Sequence, residues 1–210
     1  MPREITHLVF DLGGVIVELR GTPILSEWLD GDHTDEALWE KWLTSNAPRA
    51  FEAGKINKEE FAIQIVKELY LNTSEEAFLQ HFTALPVGPY PGALPLLHSL
   101  KESYTTALFS NSNDLHWQRK MNEMQLKEAF HHHFASHLMG KVKPDADAFE
   151  EIISTLAVPA EQIMFFDDNQ LNVEAAKKAG IQAVRVKGFT ELSETLARLG
   201  TPPNEIKSYV

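Results

Sequence analysis

Apolar residues gather in short runs that each end in polar or glycine positions: HLVFD at 7–11, YTTALFS at 104–110, QIMFFDD at 162–168 and QAVRV at 182–186. A weaker run, HFASHLM, lies at 133–139. Runs this short, rich in Val, Phe and Ile, predict parallel strands covered on both faces. Helical patterns separate them. GALPLLHSLKE (92–102) carries a proline near its start, DADAFEEIISTL (145–156) opens on aspartate, and NVEAAKKAG (172–180) closes on glycine. Strand and helix in alternation predict an α/β fold, a Rossmann-like doubly wound parallel sheet of right-handed βαβ units. Such sheets bind ligands beyond the C-terminal strand ends.

Residues 18–86 break this rhythm. They read as helical throughout: TDEALWEKWLT, then NKEEFAIQIVKELYL with Asn57 as N-cap, then SEEAFLQHFTAL with Ser74 as N-cap. No strand is expected there. Pro86, Pro89 and Pro91 mark the return to the sheet. The chain therefore divides into a core of residues 1–17 and 87–210 and an all-helical cap of residues 18–86. The cap is inserted after the first strand, where a lid over the strand ends would attach. Trp28, Trp39 and Trp42 are expected in the cap's own core, with one of them free to line a pocket. The proline-marked tail TPPNEIKSYV reads as a loosely held end.

Composition narrows the class. The chain has 210 residues, 43% of them hydrophobic, with four Trp and twelve Phe, enough to bury a core and an insertion. A formal net charge of −11 argues against a nucleic-acid or anionic-membrane surface but not against a small anion bound by a few local cations. With no cysteine, disulfides, thiolate catalysis and Cys-ligated zinc are excluded. No apolar stretch approaches the roughly 20 residues needed to span a bilayer, and MPREITHLVF does not read as a signal peptide. A soluble cytoplasmic protein is the expectation.

Three of the strand predictions end in chemistry-bearing residues: Asp11, Ser110-Asn111 and Asp167-Asp168. Lys143, before Pro144, lies between the last two. Doubly wound topology brings all of them to one sheet edge. Three carboxylates there repel unless a cation sits among them, and all-oxygen ligands suit Mg²⁺. A lysine, a hydroxyl and turn amides hold phosphate oxygens. An aspartate beside both can act as a nucleophile and form an aspartyl-phosphate that water later cleaves. The run His131-His132-His133, with His137, does not suit zinc, because adjacent histidines of an extended chain face opposite ways.

In order, DLGGV, LFSNSN, KVKPDADAF and FFDDNQLN resemble the four motifs of the haloacid dehalogenase superfamily, over nearly the whole chain. Within it, SNSNDLH, DDNQLN and FEAGKINKEEF look most like bacterial α-D-glucose-1-phosphate phosphatases, and less like the phosphatase domain of soluble epoxide hydrolase. The resemblance implies Asp11 as nucleophile and Mg²⁺ ligand, and the Gly13 carbonyl as a second ligand. It implies Ser110 and the Asn111 amide as phosphate binders, and Lys143 as the counter-charge. Asp168 becomes the main motif-four ligand, Asp167 supports it, and Asn172 fixes the loop.

Gly13 departs from the pattern. Most phosphatases of the superfamily carry there an Asp that protonates the leaving oxygen and activates water. Losing such a group costs about 10²–10⁴-fold. The expectation is a Mg²⁺-dependent phosphomonoesterase for small metabolites, with sugar 1-phosphates in view because their leaving groups need little protonation. Glu18, which with Arg20 opens the cap linker, and His116 are the candidate substitute acids. A silent phosphometabolite-binding protein, a sugar phosphomutase and a haloacid dehalogenase are the alternatives. The doubled carboxylate Asp167-Asp168 argues against the last.

Overall fold

A computed structural model describes residues 4–200, so the 201–210 tail lies outside the described residues. Among the described residues are seven strands: β1 (His7–Phe10), β2 (Val17–Leu19), β3 (Pro86–Pro89), β4 (Thr105–Ser110), β5 (His132–Ala135), β6 (Ile163–Asp167) and β7 (Gln182–Arg185). Five of them form a parallel sheet in the order β5-β4-β1-β6-β7. From β1 the chain builds outward through β4 and β5, then crosses back to β6 and β7. The order therefore reverses at β1, and the crevice of a doubly wound sheet opens beyond its C-terminal end.

Alternation along the central strands explains why they read as unbroken apolar runs. Leu8, Phe10, Leu108, Met164 and Phe166 face one buried cluster, while Val9, Ala107, Phe109, Ile163 and Phe165 face another. Both faces are covered, so neither side of a strand needs polar residues.

The helices are α1 (Asp35–Thr44), α2 (Asn46–Glu52), α3 (Lys58–Glu68), α4 (Glu75–Ala84), α5 (Ala93–Leu100), α6 (Asp114–Gln118), α7 (Leu126–Ala129), α8 (Ser136–Met139), α9 (Ala146–Leu156), α10 (Gln170–Lys178) and α11 (Gly188–Arg198). Helices α5, α7 and α11 cover one face of the sheet, and α9 and α10 the other. A π-helical turn, Arg119–Glu123, follows α6.

Helices α1 to α4 close on a third apolar cluster of their own, centred on Phe61, whose ring meets Trp42, Phe51, Phe78 and Phe82 at centroid distances of 4.4–5.9 Å. Asn57 and Ser74 cap α3 and α4, and Asn57 forms a full capping box with Glu60.

Three local readings are corrected. Residues 18–86 are not helical throughout, because β2 and β3 pair as an antiparallel ribbon at the two crossings into the insertion. Segments of three and four residues are too short to show alternation, and prolines at an edge need no ladder partner. Helix α2 was not among the helical patterns named; its Pro48 sits in the first turn, where the missing N–H is harmless. The run 133–139 is strand only to Ala135; Ser136–Met139 turns as a helix that ends at left-handed Gly140, φ +71°.

Candidate functional site

Asp11 follows β1 directly, its amide donating to the Phe166 carbonyl at 2.8 Å, so the sheet itself sets its position. The chain then turns through Gly14, φ +71°. A Cβ at Gly14 would lie 2.7 Å from Asp168 Oδ2, so both the backbone conformation and the space demand glycine. The Gly14 carbonyl accepts from the Gly188 amide at 2.7 Å, tying this loop to the end of β7.

Lys143 lies at the centre. Its Nζ donates to Asp11 Oδ1 at 2.7 Å, Asp167 Oδ2 at 2.7 Å and the Phe109 carbonyl at 2.8 Å, which uses all three ammonium protons. Burial opposes the charge, but Asp11 and Asp167 outweigh it and the ammonium is held above its ordinary pKa. The rings of Phe109 and Phe165 flank Nζ at 5.0 and 5.3 Å. Asn111 holds the Lys143 peptide from both sides, accepting from its N–H at 2.9 Å and donating to its carbonyl at 3.0 Å. The Asn111 side chain thus positions the lysine. Ser110, at the end of β4, is 2% exposed and borders the same cavity.

The two motif-four carboxylates differ. Asp167 is fully buried and receives the Asn169 amide at 2.8 Å and Asn172 Nδ2 at 3.0 and 3.1 Å, besides Lys143. Its oxygens are committed to the protein. Asp168 faces the cavity with no ion-pair partner among the described residues, and burial, with Asp11 and Asp167 adding to it, pushes its carboxyl up to about 7. Oxygens of Asp11, Asp167 and Asp168 all lie within 4.8 Å of one another. Carboxylates this close, with one lysine opposing them, have the donor set and the charge deficit that a Mg²⁺ ion fits. The histidine cluster forms no such group among the described residues; His131 and His133 instead engage Thr106 and the Lys127 carbonyl.

Above this edge is a cavity of about 230 Å³. Its floor is Asp11, Gly13, Ser110, Lys143 and Asp168, and its roof comes from the insertion, with Trp39, Trp42, Leu43, Glu52 and Phe82. Trp42 serves both the insertion's core and the cavity, whereas Trp28 is core alone.

Neither substitute acid named from the sequence suits the task. Glu18 lies exposed on β2 and Arg20 lies exposed just after it, both outside the cavity lining. His116 does line the cavity, but it is 5% exposed and its Nε2 donates to the Phe82 carbonyl at 2.7 Å. Burial first, with Lys120 adding to it, lowers its pKa to about 3, so it stays neutral with its one proton committed.

Two residues escaped sequence reasoning. Glu52, the last residue of α2, reaches the cavity, where burial, against the pull of Lys120 and Lys143, raises its carboxyl to about 7. Lys120, on the π-helical turn, is 5% exposed, with Nζ 3.4 Å from Ser112 Oγ. Burial lowers its pKa, with Asp11 and Glu52 opposing. Lys120 gave no signal in WQRKMNE. Glu52 gave only its place in FEAG, ahead of a glycine turn.

A sheet edge that gathers carboxylates around one lysine, under a roof inserted into the same chain, defines a Rossmann-like enzyme that handles a small charged group. Residues 5–180 match the family of haloacid dehalogenase-like hydrolases, and the chain belongs to that family. It is similar to a D-ribitol-5-phosphate phosphatase of Bacteroides thetaiotaomicron, 24% identical over 91% of this chain and 97% of the relative. It is also similar to a sesquiterpene phosphatase of Aspergillus oryzae, 29% identical over 82% of this chain and 85% of the relative. Among solved structures, a haloacid dehalogenase family enzyme of B. thetaiotaomicron in complex with magnesium and inorganic phosphate superposes with a TM-score of 0.69. It is 25% identical over 87% of this chain and 94% of that one.

Proposed function

We propose that the protein is a Mg²⁺-dependent phosphomonoesterase for small phosphorylated metabolites, sugar 1-phosphates among them, working through an aspartyl-phosphate on Asp11. The observation that carries this reading is Asp11 at the floor of a roofed cavity, held at 2.7 Å by Lys143 and within reach of a second carboxylate, Asp168, that has no ion-pair partner among the described residues. The phosphatase relatives support the same reaction class.

In this reading Ser110 and the Asn111 backbone amide bind phosphoryl oxygens, and Lys143 offsets the charge of Asp11 and substrate. An Asp11 oxygen attacks phosphorus as the ester P–O bond breaks, and water later cleaves the acyl phosphate and returns Asp11 to a carboxylate. Asp11, Asp168 and the Gly13 carbonyl would hold Mg²⁺, with Asp167 supporting them, and the ion would neutralise phosphoryl charge. Asp167 and Asn172 keep Lys143 and the loop in place. The inserted helices act as a cap that excludes water and selects the substrate, with Trp39 and Trp42 as flat apolar walls of the kind that sugar-ring faces pack on.

Glycine at position 13 favours one second reading, a protein that binds phosphometabolites without turning them over. Phosphate release from a panel of esters with Mg²⁺, beside an Asp11→Asn control, separates the two. Release well above the control on at least one ester, abolished by EDTA, is the expected result. Ligand binding with no release above the control would overturn the enzyme reading, and release undiminished by EDTA would overturn the metal assignment.

A further inference from the structure

We propose that Glu52, delivered by the insertion, supplies the proton that Gly13 cannot. It protonates the leaving oxygen and then accepts a proton from the attacking water. The assignment rests on the phosphomonoesterase reading. An in-line displacement places the leaving oxygen on the side of phosphorus opposite Asp11, which here is the side roofed by the insertion. Among the titratable side chains the insertion contributes to the cavity lining, Glu52 is the carboxylate. It lines the same cavity as Asp11, Lys120 and Lys143, whose charges act on its carboxyl, and as Asn111, next to Ser110.

The turn bearing Glu52 is fastened to the sheet domain on both sides. Arg49, one turn earlier on α2, pairs with Asp145, two residues past Lys143. Gly54, two residues after Glu52, has φ +66°, and a Cβ there would lie 2.5 Å from the His137 carbonyl oxygen. So close an approach excludes any side chain and fixes the height of the turn over the site. The other groups nearby are unsuited. The ammonium protons of Lys143 are all engaged, and the His116 proton is committed to Phe82. With burial raising its carboxyl to about 7, Glu52 exchanges a proton readily near neutrality, as an acid that must later act as a base requires.

The steps balance. In the first, Asp11 bonds to phosphorus, the ester P–O bond breaks, and the Glu52 proton passes to the departing oxygen to give the alcohol and a Glu52 carboxylate. In the second, water bonds to phosphorus and gives its proton to Glu52, and the Asp11–phosphorus bond breaks to release phosphate.

The test compares an alkyl phosphate with 2,4-dinitrophenyl phosphate, whose leaving group needs no proton, for wild type, Glu52→Gln and Lys120→Met with saturating Mg²⁺. Glu52→Gln should lose roughly 10²–10⁴-fold on the alkyl ester. On the dinitrophenyl ester it should keep a burst of about one phenolate per chain and accumulate phosphorylated protein, visible by intact mass, because the second step also lacks its base. Glu52→Asp should recover part of the alkyl rate. Equal losses of the first-turnover rate on both esters, no loss on either, or a leaving-group-dependent loss of that rate in Lys120→Met in place of Glu52→Gln would overturn the Glu52 assignment alone. A wild type that hydrolyses neither ester would overturn the phosphatase reading and this assignment with it.

Discussion

Replacing Lys143 by Met tests whether the buried charge cluster holds the fold as well as the site. The Lys143 side chain is 1% exposed, Asp167 0% and Asp11 11%, so solvent screens the cluster little. Removing the lysine deletes three hydrogen bonds and leaves two carboxylates facing each other without their shared cation. Breaking a buried pair by removing one partner costs about 3–5 kcal/mol, because the remaining charge is uncompensated. For a chain of this size about 2–4 °C of melting temperature accompanies each kcal/mol. Lys143→Met should therefore melt roughly 6–20 °C below wild type at pH 7 without added metal. The deficit should narrow at lower pH. Burial already raises the Asp167 pKa and Lys143 opposes that rise, so without the lysine the folded state takes up a proton more readily than the unfolded chain. Lys141, paired with Glu151 on the surface at 2.9 Å, is the control, and Lys141→Met should leave the midpoint nearly unchanged. Scanning calorimetry of both variants decides the matter. Equal midpoints would refute the claim that Lys143 holds uncompensated charge in place.

Gly13→Asp probes the missing acid directly. A Cβ at Gly13 meets Leu19 Cδ1 at 3.3 Å, so the variant should lose about 1–3 kcal/mol of stability by overpacking, and Leu19→Ala should relieve much of it in chemical denaturation. With Glu52 as donor, the new aspartate should raise alkyl-ester turnover less than tenfold in wild type yet rescue Glu52→Gln; a hundredfold gain in wild type would mean that no donor was present. His116 gives a pH prediction. Its folded pKa of about 3 lies below the ordinary value, so its contribution is fully present above about pH 6.5. It falls away by up to roughly 1.4 kcal/mol per pH unit as the pH drops toward 3. His116→Gln should remove that slope, so urea midpoints of the two proteins should converge between pH 7 and pH 5, and parallel curves would contradict the buried neutral ring.

The legible parts of the fold were those whose physics is local or periodic. Strands β1, β4, β6 and β7 announced themselves because both faces of the sheet are covered, so Val9 and Phe10, or Phe165 and Phe166, are apolar together. Asn57 and Ser74 were readable as caps because capping is decided within four residues. The β2–β3 ribbon joins residues about 70 positions apart through segments too short to carry a period, and nothing within Val17–Leu19 marks them as paired. The site divides in the same way. Asp11, Ser110 and Asp168 sit at strand ends that topology must bring together, so their convergence follows once the strands are known, and Lys143 joins them from the loop between α8 and α9. Glu52 and Lys120 reach the cavity only through the docking of α2 and the π-helical turn after α6, and tertiary packing alone decides that.

This division has a mechanistic consequence. The groups proposed to bind and attack phosphate stand on the rigid sheet edge, while the proposed proton donor stands on an insertion joined through the β2–β3 ribbon and pinned by Arg49 and Gly54. Leu19 of that ribbon lies against Gly13, in the space where an aspartate side chain would otherwise begin. The same ribbon that carries the cap therefore crowds the usual position for the acid without filling it. On the proposed assignment, Asp11 has a proton donor only while Glu52 stays seated over the site. Water entering an open site would find a nucleophile but no base to activate it, so closure would gate both half-reactions. An aspartate on Gly13 would stay at the sheet edge whatever the insertion did. On that assignment, a substrate that keeps Glu52 from seating over Asp11 would be bound but not turned over.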